Sequence, residues 1–246
     1  MNQETDFVNS FHKFSKLNKF LIGLQCVSLI FTAYLFIEIG KTSSQEPMGA
    51  AIVEYVFGYL FIAFSIFLLL LFSVGVFSLN AERKAFKWIG IFGIIACVLP
   101  GLSLIQFVNF LGTGNVKVII LFICAAVLLA IKPVYYFMMS KEVTDRFSKS
   151  HASCWKRLFV IGILFILCLG AMYVFSEIHD SHVGGVITDD YFDTLDFWAR
   201  IVKISTIVSI IVFLIRMVYE FICTGNLEKT LLAENGKENA LSDVQD

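Results

Sequence analysis

Residues 60–79 read LFIAFSIFLLLLFSVGVFSL, twenty positions without one charged side chain. A helix at the surface of a soluble protein carries a polar face opposite its apolar stripe. Here no face is polar, and the run has the length of roughly 20 residues that an α-helix needs to cross a bilayer. The stretch predicts a transmembrane helix, and the composition extends that reading to the whole chain. Of 246 residues 58% are hydrophobic and 16% charged, with a mean hydropathy of +0.80. A soluble domain is roughly a quarter charged. Five further apolar runs flank the first, so spans are predicted near 19–39, 51–79, 87–110, 117–139, 157–177 and 199–223. The expected fold class is all-α, a polytopic bundle of six transmembrane helices.

The first run lies behind a polar tail and ends in FIEIG, not in a small-x-small cleavage site, so it reads as a retained helix. No lipidation signal is read at either end. Cations set the orientation. Lys13, Lys16, Lys19, Arg83, Lys84, Lys87, Lys141, Arg146, Lys149, Lys156, Arg157, Lys229 and Lys237 fall in the tails and alternate connections of one side. The other side has Lys41, Lys117 and Arg200. This positive-inside bias predicts cytoplasmic termini, N-in and C-in. The expected organisation is a cytoplasmic tail over 1–18, a four-helix membrane domain over 19–148, an additional hairpin over 149–223 and a polar, disordered cytoplasmic tail over 224–246.

Within the helices, GIFG (90–93) permits close helix contact, and Pro100-Gly101 and Pro133 predict bends. The endings YLFIEI (34–39) and YVFSEI (173–178) are alike, as a duplicated hairpin would be; chance alignment of Phe/Ile/Leu-rich helices produces the same. Cys26, Cys97, Cys124 and Cys168 lie within spans, and Cys154 and Cys223 at their cytoplasmic ends. With none in an outer loop and no C-x-x-C, no disulfide framework is expected. Cys154, beside Lys156 and Arg157, reads either as an activated thiol or as an idle one.

MGAAIVEYVFGYLFIAFSIFLLLLF (48–72), the basic NAERKAFKW after it and PVYYFMMSKEVTDRF (133–147) together resemble a bacterial inner-membrane family, the four-helix domain of unknown function 2569. The resemblance covers about residues 18–148. Glu54 matches its embedded glutamate, and Tyr136, Phe137, Ser140, Lys141, Val143 and Phe147 match the end of its fourth helix; Glu142 and Arg146 depart from it. It implies a bacterial inner membrane and carries no activity.

Ionisable groups at membrane depth are the strongest functional leads, since each costs a few kcal/mol unless paired or wet. On the sixth helix Ser205, Ser209, Arg216 and Glu220 fall within about 60° of one another at 100° per residue, an interior stripe or pathway on an apolar cylinder. Arg216 and Glu220, i and i+4, can pair with each other; the competing reading, slightly favoured, is that Arg216 snorkels to the inner interface, as Lys132 is expected to do. At the outer rim, Glu38 and Glu177 sit at helix C-termini and Arg200 and Lys203 at a helix N-terminus, each misplaced for the macrodipole. A charge cluster of Glu38, Glu54 or Glu177 with Arg200 or Lys203 relieves this.

The largest outer loop, EIHDSHVGGVITDDYFDTLDFW (177–198), offers Glu177, His179, Asp180 and His182 as ligands for a weak divalent cation. An ordinary acidic loop reads the same way, and so does a proton sensor. No G-x-S-x-G, P-loop or H-E-x-x-H is present, and no cofactor or nucleic acid is implied. An enzyme acting on lipid would need His179 and His182 with their acidic neighbours. The sequence therefore points to a non-enzymatic integral membrane protein working in the bilayer through oligomerisation or a protein partner, as a sensor, accessory or effector subunit. The alternative is an ion channel or small-solute transporter built on the helix-six stripe.

Overall fold

The computed structural model describes residues 3–42, 47–81, 83–104, 114–146, 149–182 and 191–242, with side chains described over 6–32, 34, 60–81, 83–98, 123, 126–145, 151–179, 181 and 193–233. Among the described residues every regular element is an α-helix: α1 (Gln3–Thr42), α2 (Pro47–Phe77), α3 (Ala85–Leu104), α4 (Gly114–Arg146), α5 (Lys149–His182) and α6 (Tyr191–Ser242). Four contain stretches long and apolar enough to cross a membrane: Asp6–Thr32, Leu60–Phe77, His151–His179 and Asp193–Ala233. Ala85–Val98 in α3 is a shorter apolar stretch. Val160, Leu167, Ile204, Ile207, Ile211 and Val218 on α5 and α6 are exposed, as an apolar solvent requires.

The chain forms two compact units, residues 1–131 with 224–246, and residues 132–223. In the first, α1, α2 and α3 pack in sequence. The helix α1 begins at Gln3, where the sequence predicts a tail to residue 18. The reason is a second periodicity. Phe7, Phe11 and Phe14 recur at helical spacing and are buried, with ring centroids 5.9 and 6.2 Å apart and Phe14 edge-on to Phe72 of α2 at 5.7 Å. A polar sequence with one apolar stripe is an amphipathic helix. Likewise, the polar tail expected from residue 224 continues α6 to Ser242. Its first turns are core: Thr224, Leu227, Glu228 and Leu231 are all buried.

GIFG makes the close contact its small residues predict. A Cβ on Gly90 would stand 2.6 Å from Phe77 Cβ and 2.8 Å from its backbone nitrogen, and one on Gly93 would meet Ser73. The bend expected at Pro100-Gly101 falls where side chains lie outside the described residues.

In the second unit Pro133 sits inside α4, and Gly162 of α5 lies against it; a Cβ there would be 3.1 Å from Pro133 Cγ. Trp155 of α5 is fully buried and packs edge-on to Tyr135 at 5.8 Å and near Tyr136 at 6.3 Å. One expectation is overturned outright. Cys154 and Cys223 form a disulfide between α5 and α6, Cα atoms 6.0 Å apart across 69 residues of chain. The two cysteines meet because α5 and α6 run antiparallel, with Phe165 against Phe213 and Phe175 against Trp198 further along. On chain-entropy grounds a bridge closing such a loop contributes roughly 4 kcal/mol.

The glycine contacts give a test. Gly90→Ala should lower stability by about 1–3 kcal/mol through overpacking. Gly23→Ala and Gly170→Ala, whose Cβ atoms meet nothing within 4 Å, should unfold at or above the wild-type temperature in detergent. Equal melting of all three would refute the close α2–α3 contact.

Candidate functional site

Of the four buried charges described in the second unit, Lys132, Glu142, Arg216 and Glu220, Lys132 and Glu220 meet where α4 faces α6. Lys132 and Tyr136 are one helical turn apart on α4, so their side chains leave the same face. Lys132 Nζ donates to Glu220 at 2.9 Å (Oε2) and 3.2 Å (Oε1). Tyr136 Oη donates to Oε2 at 2.6 Å. Glu220 and Tyr136 are wholly buried, and Lys132 is 5% exposed. Pro133, next to Lys132, lies against Gly162 of α5.

Arg216 lies one turn before Glu220 on α6 and is 7% exposed. Its guanidinium carbon stands 4.6 Å from the Phe165 ring centroid and 4.8 Å from that of Phe213. Aromatic faces accommodate a cation where water does not, at about 2 kcal/mol when desolvated. Among the described residues its Nε has no hydrogen-bond acceptor. The close partner of Glu220 is thus Lys132 and not Arg216, because the carboxylate points across to α4. The snorkelling expected of Lys132 is overturned for the same reason: its ammonium turns inward to a carboxylate 88 residues away in sequence.

The two serines of the stripe behave differently. Ser205 Oγ donates to the Val202 carbonyl at 2.8 Å and Ser209 Oγ to the Ser205 carbonyl at 2.8 Å. Such back-bonding satisfies a hydroxyl within its own helix. The stripe therefore divides into an ionic part at Arg216 and Glu220, and a serine part closed on its own backbone.

At the predicted outer rim, Glu177, Arg200 and Lys203 are exposed, and among the described residues no ion pair joins them. The rim is where an exposed pair is worth at most about 1 kcal/mol, so nothing compels them together. Tyr173, one turn earlier on α5, interacts with Glu177 through its hydroxyl. The side chains of Glu38 and Glu54 lie outside the described residues. Of the metal candidates, α5 carries all four to its end at His182, past residue 177 where the sequence predicts the span to end. Glu177 is exposed and His179 half-buried, and the side chains of Asp180 and His182 lie outside the described residues. Among the described residues no three His, Cys, Asp or Glu side chains converge on one point.

A second polar set, unforeseen in the sequence, occupies the first unit. Glu228 of α6 accepts from Ser15 Oγ at 2.7 Å, approaches His12 Nδ1 at 2.6 Å and pairs with Lys19 Nζ. Asn18 Nδ2 reaches Thr224 Oγ1 at 3.4 Å. The signal was present as His12, Ser15, Asn18 and Lys19 at helical spacing, matched by Thr224 and Glu228 at i and i+4. Treating both segments as tails hid it.

No family model, no curated protein and no solved structure matches this chain.

The two polar sets make separate predictions. Lys132→Met strands a buried carboxylate and should cost about 3–5 kcal/mol, whereas Lys132→Met with Glu220→Leu should recover most of that loss. Thermal unfolding in detergent measures both, and a double variant no better than the single would refute the pairing. Stopping the chain after Ala233 should leave the fold intact, while stopping after Cys223 removes Thr224 and Glu228 and should abolish a monodisperse peak on size exclusion.

Proposed function

We propose that this chain is a non-enzymatic integral membrane protein of six spans with cytoplasmic termini, acting through self-association or contact with a protein partner as a sensor, accessory or effector subunit. The observation that supports this reading best is the closure of the helix-six charges. Glu220 has Lys132 and Tyr136 on its oxygens and no exposure, and the Arg216 guanidinium lies over two aromatic rings. A conduit needs polar groups that face water; these face one another. Ionic groups so arranged hold helices in register, leaving the exposed apolar faces to meet lipid or other membrane helices. The resemblance to the bacterial four-helix family supports a bacterial inner membrane.

One observation favours the channel or transporter reading. Arg216 is buried, and among the described residues its Nε has no hydrogen-bond acceptor. A permeating anion would supply one.

Ion flux from proteoliposomes decides between the two. The proposed reading expects vesicles that stay tight to chloride and to monovalent cations, with Zn²⁺ or Mg²⁺ outside or without, and no difference between wild type and Arg216→Ala. Chloride flux that Arg216→Ala abolishes would overturn it in favour of an anion pathway.

A further inference from the structure

The disulfide sits at the cation-rich end of α5, where Cys154 is bonded to a cysteine inside α6, which runs on to Ser242. Cys154 lies in HASCWKR (151–157), with Lys156 and Arg157 exposed just after it. Under the N-in, C-in orientation of the proposed function, on which this inference rests, that end faces the cytoplasm. Thiol pools there keep cysteines reduced, and a disulfide that forms is transient, catalytic or redox-sensing. A bridge built into the packing at that place is therefore one the cell can open.

The two sulfurs differ in access. Cys223 is 2% exposed, whereas Cys154 is half-buried. Lys156 and Arg157 favour approach of an anionic thiolate to Cys154. Both cysteines also adjoin the buried ion set. Cys223 is three residues past Glu220 on α6. Cys154 precedes Trp155, whose ring packs on Tyr135 and Tyr136, and Tyr136 donates the 2.6 Å hydrogen bond to Glu220.

We propose that Cys154 and Cys223 are a reversible thiol–disulfide switch that locks α5 to α6 beside the Lys132–Glu220 pair, served by a cytoplasmic dithiol reductant. The thiolate of the reductant attacks Cys154 Sγ. The Cys154–Cys223 bond breaks, and its electron pair leaves on Cys223 Sγ, which takes a proton. The reductant's second thiolate then attacks its own sulfur in the mixed disulfide, releasing Cys154 as a thiolate that is protonated in turn. The reductant ends as a disulfide, and two electrons and two protons have reached the protein. Oxidation runs the same exchange backwards with a disulfide of that class. The reduced state has no covalent tie between α5 and α6 next to the Tyr136–Glu220 hydrogen bond, so the register of α4, α5 and α6 rests on packing and the ion pair alone.

Two measurements on the same chain test this. Cells producing it with Cys26, Cys97, Cys124 and Cys168 replaced by alanine are acid-quenched, and their free thiols are counted with a mass-shifting maleimide. Cross-linked-peptide mass spectrometry on the native chain gives the same count if the replacements prevent folding. The pair should be mostly reduced in resting cells, its oxidised fraction should rise severalfold on diamide, and dithiothreitol should reverse the rise. In parallel, a membrane-impermeant maleimide should label the reduced pair in inside-out vesicles and not in right-side-out ones. Cytoplasmic labelling with an oxidised fraction that never changes would overturn the switch and leave the orientation standing. Labelling from the outer side would overturn the orientation, and the switch with it.

Discussion

A carboxyl group with no exposure to water is the constraint around which the second unit is organised. Glu220 is tolerable only because α4 brings an ammonium and a phenol to it from one face, and that requirement fixes α4 against α6 in both rotation and depth. Trp155 then has a defined place against the two tyrosines, and Gly162 lets α5 come close enough to lie on Pro133. Apolar side chains alone would give weaker instruction. Leu, Ile and Phe pack acceptably in many registers, and lipid tails compete with them on equal terms, whereas a carboxylate has one acceptable arrangement.

The first unit solves the same problem with less charge and more shape. Its α2–α3 contact depends on the absence of side chains at Gly90 and Gly93, and its α1 stripe on rings that interlock with Phe72. Glu228 adds a polar set, but its neighbours His12 and Lys19 retain about a third of their surface. Water is close at hand there, and the pairing specifies more than it stabilises.

The membrane class and most of the helices could be read from sequence because they depend on local runs, and bilayer thickness sets the length of a run. Residues 60–79 and the GIFG contact are of this kind. What escaped depends on segments brought together from far apart. Lys132 and Glu220 are 88 residues apart, and nothing local favours that partner over Arg216, which stands one turn away. The bridge between Cys154 and Cys223 escaped for the same reason, reinforced by an orientation that argues against disulfides. The helical ends of α1 and α6 were missed differently. A search tuned to uniformly apolar spans passes over an amphipathic extension, although Phe7, Phe11 and Phe14 carry its period plainly. In the acidic stretch that follows Glu177, conspicuous residue types drew a ligand reading, and the side chains of two of its four residues, Asp180 and His182, lie outside the described residues.

The contact between α1 and the far end of α6 also has a consequence in time. Ser15 and Asn18 are buried polar residues whose partners, Glu228 and Thr224, are more than two hundred residues downstream. At a synthesis rate of roughly 5–20 residues per second, those partners emerge about 10–40 s after α1 does. Through that interval α1 holds polar groups without their acceptors, and α1–α3 can assemble but not finish. A nascent chain that stalls anywhere before residue 224 keeps this mark of incompletion, so the same hydrogen bonds that seal the fold also distinguish a finished molecule from an aborted one.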